Sequence, residues 1–392
     1  MKLSINKLAV LLLLTIPFTS SAQKNIVGGG CDGCELMYID MPLNISPVSY
    51  SPAWNSGNQK LLITGKILQN DGVTPANNVL VYYWQTDENG DYKNKGDLNK
   101  KAIRHGYIRG WVKSDVDGNY SIYTIKPKAY SNSSQPAHIH LSVKEPNIAD
   151  EYYVDKLVFN YDPLLTTAER EKFKNRGGSG LLRTLISKDM IIAEHNIILG
   201  LNIPNYPVDD TSIQSGLMIG ENFPSITPYH AWGPDKGTKT CPVCRYGRHL
   251  GIMYFVNNLQ PQEIKDWLLE LEKQSEKRGQ YLKVYLIYAN EIDYSFNKRK
   301  KELEDLGKEL KLKKVALTFV PSFNDKQSDA HLTKIDLNTT NSNNTFIIFK
   351  NRSIIGKFLN LEAVQENFVK INQLLNENQG KYSLLPIDTR KI

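Results

Sequence analysis

Ala137-His138-Ile139-His140-Leu141-Ser142-Val143 carries the reading of the fold. Apolar and polar residues alternate here with the period of an extended strand, so His138 and His140 share one face while Ile139 packs behind them. Working outward, the same texture recurs. Leu61-Leu62-Ile63-Thr64-Gly65-Lys66-Ile67-Leu68 runs into the turn Asn70-Asp71-Gly72, and Val79-Leu80-Val81-Tyr82-Tyr83-Trp84 ends near Asn89-Gly90. Asp115 to Gly118 leads into Tyr120-Ser121-Ile122-Tyr123-Thr124-Ile125, and Ile197-Ile198-Leu199 follows later. Short β-branched and aromatic runs punctuated by turn residues predict an all-β sandwich or barrel.

The chain has 392 residues, more than one core usually holds, so at least two domains are expected. Hydrophobic residues at 41% and charged residues at 23% exclude a disordered or fibrous chain. Lys and Arg number 48 against 41 Asp and Glu, and the resulting +7 is too mild for a nucleic-acid binder without a concentrated basic face. The densest run, Lys298-Arg299-Lys300-Lys301, is answered by Glu302, Glu304, Asp305 and Glu309, the pattern of a solvated helix. Lys2 and Lys7, an apolar run over 8–18 and Ser20-Ser21-Ala22 predict a signal peptide over 1–22 and a periplasmic or secreted protein. No later run reaches the roughly 18 apolar residues of a membrane span.

Four cysteines form two pairs, Cys31-x-x-Cys34 and Cys241-x-x-Cys244. In an oxidising compartment the default is disulfides, with three connectivities open, and a four-thiolate zinc site is the alternative. Each spacing can close locally, so Cys31–Cys34 and Cys241–Cys244 are the expected bridges.

After a Pro-, Gly- and polar-rich stretch at 207–240 the pattern changes. A strand at 252–256 is followed by a helix opened by Pro261, with Ile264, Trp267, Leu268 and Leu271 on one face and a stop near Gly279. A strand at 283–288, a charged helix, a strand at 315–320, a hairpin about Asn351-Arg352 and a helix over 361–375 complete an α/β order. Gly177-Gly178-Ser179-Gly180 has no following Gly-Lys-Ser/Thr and reads as a flexible loop, not a phosphate cradle. The expected organisation is therefore signal peptide 1–22, Cys-containing segment 23–50, β-sandwich 51–206, linker 207–240 and α/β domain 241–380.

Two imidazoles on one strand face can reach one metal, though an HxH strand alone is weak evidence. Around it stand Trp84-Gln85-Thr86-Asp87-Glu88-Asn89-Gly90-Asp91-Tyr92, then Ser114-Asp115-Val116-Asp117-Gly118-Asn119-Tyr120, then Thr124-Ile125-Lys126-Pro127-Lys128-Ala129-Tyr130, then Pro136-Ala137-His138-Ile139-His140. In this order the blocks resemble the intradiol ring-cleavage dioxygenases, the family of protocatechuate and catechol dioxygenases, over roughly residues 35–205.

The resemblance implies a non-haem Fe(III) held by Tyr92, Tyr130, His138 and His140. It also implies cleavage of a catechol-type aromatic between its hydroxyls with O2, with Tyr130 leaving the metal to take a substrate proton. A phenolate is a hard anionic donor suited to Fe(III), and the metal's charge must displace a proton whose ordinary pKa is about 10. The family commonly carries Arg just before PAHIH, where this chain has Gln135, a neutral donor. Arg109 is the candidate substitute cation, with stacking on Trp111 as its alternative reading. Lys93, Lys95, Lys100, Lys101 and Arg104 form a polar loop that receives an acidic substrate or is simply solvated.

From about Cys241 onward the element order resembles a thioredoxin-like domain. Cys241-Pro242-Val243-Cys244 nevertheless precedes the first strand, and Asn257-Asn258-Leu259-Gln260 occupies the position where a redox pair is expected. That placement favours a structural disulfide or an interaction module over a reductase. The functional alternatives are a catalytically weak iron- or catechol-binding protein on the same fold, or a thiol-disulfide oxidoreductase acting through the second domain. The sequence leaves the oligomeric state open.

Overall fold

The alternating runs of the amino-terminal half form twelve strands. They are β1 (Val48–Tyr50), β2 (Lys60–Leu68), β3 (Leu80–Gln85), β4 (Arg109–Lys113), β5 (Asn119–Ile125), β6 (His138–Lys144), β7 (Tyr152–Tyr153), β8 (Leu157–Phe159), β9 (Leu181–Leu182), β10 (Thr184–Ser187), β11 (Met190–Glu194) and β12 (Ile197–Ile198). A short helix, α1 (Thr167–Glu171), lies between β8 and β9. This computed structural model describes residues 26–379, apart from 57, 97, 208–214, 260, 293, 325–329, 331 and 339–341. The expected signal peptide over 1–22 lies outside the described residues.

One six-stranded sheet has the order β1-β5-β2-β11-β10 with β12 beside β2; the other has β4-β3-β6-β8-β9 with β7 beside β6. Their facing sides share one core. Leu61, Ile63 and Ile67 of β2 and Ile122 of β5 meet Val81 and Tyr83 of β3 and Ile139, Leu141 and Val143 of β6. A fully buried Ile, Leu or Val contributes roughly 1.5–3 kcal/mol. Three on β6 alone therefore forbid a one-residue register slip, which would turn them to the outside.

The residues between those core positions point away from the sandwich. Leu80, Tyr82 and Trp84 of β3 form a second cluster with Met37, on the face that carries His138 and His140. A segment from the amino terminus closes over this face. Trp111 Nε1–H donates to Met37 O at 2.6 Å, and the buried Arg109 donates to Ile39 O at 3.0 Å and Asp40 Oδ2 at 2.7 Å.

The carboxy-terminal half is a mixed α/β sheet. Its strands are β13 (Tyr229–Trp232), β14 (Leu250–Val256), β15 (Leu282–Tyr288), β16 (Ala316–Phe319), β17 (Asn344–Lys350) and β18 (Ser353–Leu359), in the order β13-β16-β15-β14-β17-β18. Helices α2 (Pro242–Tyr246), α3 (Gln262–Arg278), α4 (Phe296–Glu309) and α5 (Gln365–Asn378) complete it. Trp267, Leu268 and Leu271 of α3, Leu303 of α4, and Ile371 and Leu375 of α5 pack with Ile252 and Tyr254 of β14. The opposite face of β14, with Met253 and Phe255, lies under Phe223 and Ile226.

Three expectations are revised here. The stretch 207–240 is no free linker: it supplies β13 and the fully buried Phe223 and Ile226. The last helix starts at Gln365, not 361, because Asn344 pairs with the backbone of Leu361 in both directions and Trp267 Nε1–H donates to Leu361 O. Those contacts hold 361 out of helical geometry. The loop at 177–180 is docked, with Ser179 N–H donating to Gly220 O at 2.8 Å.

The cysteines close as Cys31–Cys34 and Cys241–Cys244, with Cα atoms 5.5 and 5.3 Å apart. In the second pair Cys241 caps the start of α2 and Cys244 lies within it, ahead of β14. Arg109 is the tie between the amino-terminal segment and the sandwich. Arg109→Met is expected to cost about 2–4 kcal/mol, since it removes charged hydrogen bonds from a buried group. A thermal melt within about 2 °C of the parent would show that the segment is held by other means.

Candidate metal centre

Local chemistry in the loops explains how two tyrosines 38 residues apart come together. Gln85 at the end of β3 donates through Nε2 to Ile125 O at 2.8 Å and accepts from Thr124 Oγ1, and Thr86 Oγ1–H donates to Lys128 O. Asp87 Oδ1 accepts the amide N–H groups of Asn89 and Asp91, and Lys93 pairs with its other oxygen at 2.7 Å. Burial works against that charge, but Lys93 and the two amides outweigh it and hold the carboxyl below its ordinary value. Gly90 sits at φ +89°, and a Cβ there would stand 2.2 Å from Ala129 O. Only glycine lets the turn before Tyr92 press against the strand of chain before Tyr130.

The result is a cluster of four donor atoms. Tyr92 Oη lies 2.8 Å from Tyr130 Oη. Tyr130 Oη lies 3.2 Å from His138 Nε2 and 3.4 Å from His140 Nε2, and the two Nε2 atoms are 3.1 Å apart. Pro136 O can only accept, so the 2.7 Å contact places the proton of His138 on Nδ1 and leaves the Nε2 lone pair facing the cluster. Burial pushes His138 down to about 4 and His140 well below its ordinary value, so both rings are neutral. Burial first, then the Tyr130 hydroxyl, drives the Tyr92 phenol up.

These separations suit a shared ion. Metal–donor bonds of about 2.0–2.2 Å meeting at roughly 90–120° put neighbouring ligand atoms about 2.8–3.8 Å apart. Two hard phenol oxygens and two imidazoles fit iron. Among the described residues no group of three or more His, Cys, Asp or Glu could hold a metal, so an ion at this place would need the tyrosines among its donors.

Behind the donors stands an aromatic wall. Trp84 is sandwiched between His140, centroids 4.9 Å apart and planes at 8°, and His105, at 4.1 Å and 7°. Tyr82 Oη contacts His105 Nδ1 at 3.0 Å. In front is a cavity of about 550 Å³ reached by Tyr92, Tyr130, His140, Trp84 and Tyr153 and by the cations Arg104, Lys156, Lys174 and Arg176.

Arg109 does not line this cavity. It lies 5.3 Å from the Trp111 ring and is engaged by Asp40, so the stacking reading describes it, in a buried form. Gln135 is exposed and accepts from Lys156 Nζ at 3.1 Å. Lys156 is the residue that sequence reasoning missed. β6 and β8 are antiparallel with His138 opposite Val158 and Ile139 opposite Leu157, and continuing by one residue sets Lys156 beside His140. Burial holds its ammonium below the ordinary value. In the polar loop, Arg104 reaches the cavity while its guanidinium pairs with Asp32 at 3.1 Å; Lys93 is taken by Asp87, and Lys95 lies over Tyr107. Lys100 and Lys101 are exposed.

Residues 50–176 match the family model described as Dioxygenase. This stretch is an intradiol dioxygenase domain. The protocatechuate 3,4-dioxygenase beta chain of Burkholderia cepacia is 32% identical over 117 residues, covering 27% of this chain and 47% of that protein. The chain thus spans about half the length of this curated relative. Among solved structures, the dioxygenase domain of a dioxygenase–carbohydrate-binding fusion from Streptomyces sp. SirexAA-E matches with a TM-score of 0.32 and 19% identity, over 41% of this chain and 91% of that one. Hydroxyquinol 1,2-dioxygenase from Pseudomonas putida DLL-E4 matches with a TM-score of 0.31 and 19% identity, over 40% and 61%. All four clustered donors and Lys156 fall inside the dioxygenase domain.

Two measurements check this geometry. In metal-free protein, His138 is expected to stay neutral to about pH 5 in NMR titrations. Its depressed pKa makes a contribution to stability that is present above about 6.5 and lost as pH falls toward 4, because the unfolded chain then binds the extra proton. Gly90→Ala is expected to destabilise the domain by about 2 kcal/mol or more and to abolish metal uptake. Full metal uptake by that variant would refute the role given to the turn.

Proposed function

We propose that the chain is an exported Fe(III)-dependent intradiol dioxygenase that opens a catechol-type aromatic ring between its hydroxyls using O2. The observation that carries this reading is the convergence of Tyr92, Tyr130, His138 and His140 within 3.4 Å contacts at the head of a cavity. The amino-terminal sequence and two closed disulfides support export.

These four side chains would hold the ion, which supplies Lewis acidity and a template for the two reactants. Tyr130 Oη, central to the donor cluster, is placed to receive a proton from a substrate hydroxyl. Tyr92, whose phenol is driven up by burial, stays as the fixed anionic donor once its proton has been displaced. The edge of the indole of Trp84 and the ring of Tyr153, their centroids 5.9 Å apart, give the cavity an aromatic border beside which a planar aromatic packs. Lys156, steadied by Gln135, brings its positive charge to the side of the cavity at His140, where it stabilises negative charge building on the ring.

Loaded with ferric salt, the purified protein is expected to show a visible phenolate charge-transfer band and to consume O2 with catechols, yielding ring-opened diacids. Tyr92→Phe should remove the band more completely than Tyr130→Phe. Lys156→Met should lower kcat/KM by roughly 10- to 100-fold while leaving the band, and Lys156→Arg should restore most of the loss. A colourless protein that retains no iron would sink the proposal. Coloured protein with no O2 uptake across a catechol panel would reduce it to a binding function.

A further inference from the structure

The junction between the two halves gathers guanidinium groups with no carboxylate to match. Gly220 is the hinge of this contact: its O accepts from Ser179 N–H at 2.8 Å, and its N–H donates to Ile354 O at 2.7 Å. Phe223 N–H donates to Arg352 O at 2.7 Å. These bonds bring Arg183, which follows β9, to the turn between β17 and β18 where Arg352 sits. Arg352 is held at φ +68°, a conformation that disfavours any side chain. Its side chain lies so close over Gly247 that an added Cβ would be 2.9 Å from Arg352 Cγ, which sets Arg248 alongside. Arg170 completes the group. Asn160 N–H donates to Leu182 O, next to Arg183, and Arg170 donates to Asn160 Oδ1 and O, both at 2.9 Å.

Charge is unbalanced at this place. Arg183 is half-buried, and burial first, then Arg352, Arg248 and Arg170, pushes its guanidinium down to about 9. Among the described residues, neither Arg183 nor Arg248 has a hydrogen bond or an ion pair, and Arg170 and Arg352 meet only neutral acceptors, Asn160 and Ser225. Guanidinium groups keep their protons, so the repulsion is not relieved by deprotonation. Their planar forks instead fit an oxyanion, which would neutralise the cluster and accept several N–H bonds at once.

We propose that Arg183, Arg352, Arg248 and Arg170 form a site for a tetrahedral oxyanion, phosphate or sulfate, bound between the two halves. The anion arrives free or as the ester group of a larger molecule. Its binding draws together one loop of the amino-terminal sandwich and one hairpin of the carboxy-terminal sheet, and so clamps the two halves. The site is separate from the cavity at Tyr130 and needs no iron.

The full chain is melted at fixed ionic strength while chloride is replaced by inorganic phosphate or sulfate, and binding is measured by equilibrium dialysis with labelled phosphate. The expected results are one phosphate per chain and a melting temperature that rises with phosphate or sulfate but not with chloride. Arg183→Met relieves repulsion, so it should melt higher than the parent without anion, bind phosphate roughly tenfold or more weakly, and lose the phosphate-induced rise. Arg248→Met, at an exposed position, gives the same loss of binding if Arg183→Met does not fold. Glucose 6-phosphate competing with the label identifies an ester ligand, and failure to compete identifies the free ion. Equal response to chloride and phosphate, or undiminished phosphate binding in both variants, overturns the proposal.

Discussion

The alternation along β6 is the constraint on which the rest depends. Ile139, Leu141 and Val143 lock the strand into the sandwich core, and the same pleat turns His138 and His140 outward. The strand cannot move to suit a bound ion without giving up its buried side chains. Everything else at the site is arranged around two imidazoles that the core has already placed. Trp84 stacks flat on His140 because β3 pairs with β6 in the register that sets them opposite. The tyrosines come to the histidines, on loops shaped by Gln85, Asp87 and Gly90.

The outward face would be open without the segment that precedes the sandwich. Trp111, Arg109 and Met37 draw residues 34–40 over the aromatic wall, and the Cys31–Cys34 loop reaches the rim of the cavity through Asp32 and Arg104. Arg109 thus acts from behind the site. Its guanidinium touches Tyr82 Oη, Tyr82 bonds His105, and His105 stacks on Trp84. That sequence of contacts fixes the plane against which His140 rests.

Much of this was legible in the chain. Period-two alternation pointed to the sandwich, and the resemblance of the ordered blocks to the intradiol dioxygenases singled out Tyr92, Tyr130, His138 and His140, whose side chains the structure brings together. What stayed hidden depended on pairing between distant segments. Lys156 lies 16 residues beyond His140, and only the β6–β8 register brings it back. Arg109 looked available because its acceptor, Asp40, lies 69 residues upstream. The 207–240 stretch has the composition of a linker, yet Phe223 and Ile226 are buried by a sheet face that only exists once β14 is paired on both sides.

The outward orientation of the donors has a consequence for descent. Because His138 and His140 are not core residues, and Tyr92 and Tyr130 stand on loops, a lineage can exchange all four without emptying the sandwich interior. Without an ion, two neutral imidazoles and two phenols crowd lone pairs and protons into one spot, so such exchanges meet little resistance from folding and some encouragement. The architecture therefore preserves itself independently of the chemistry.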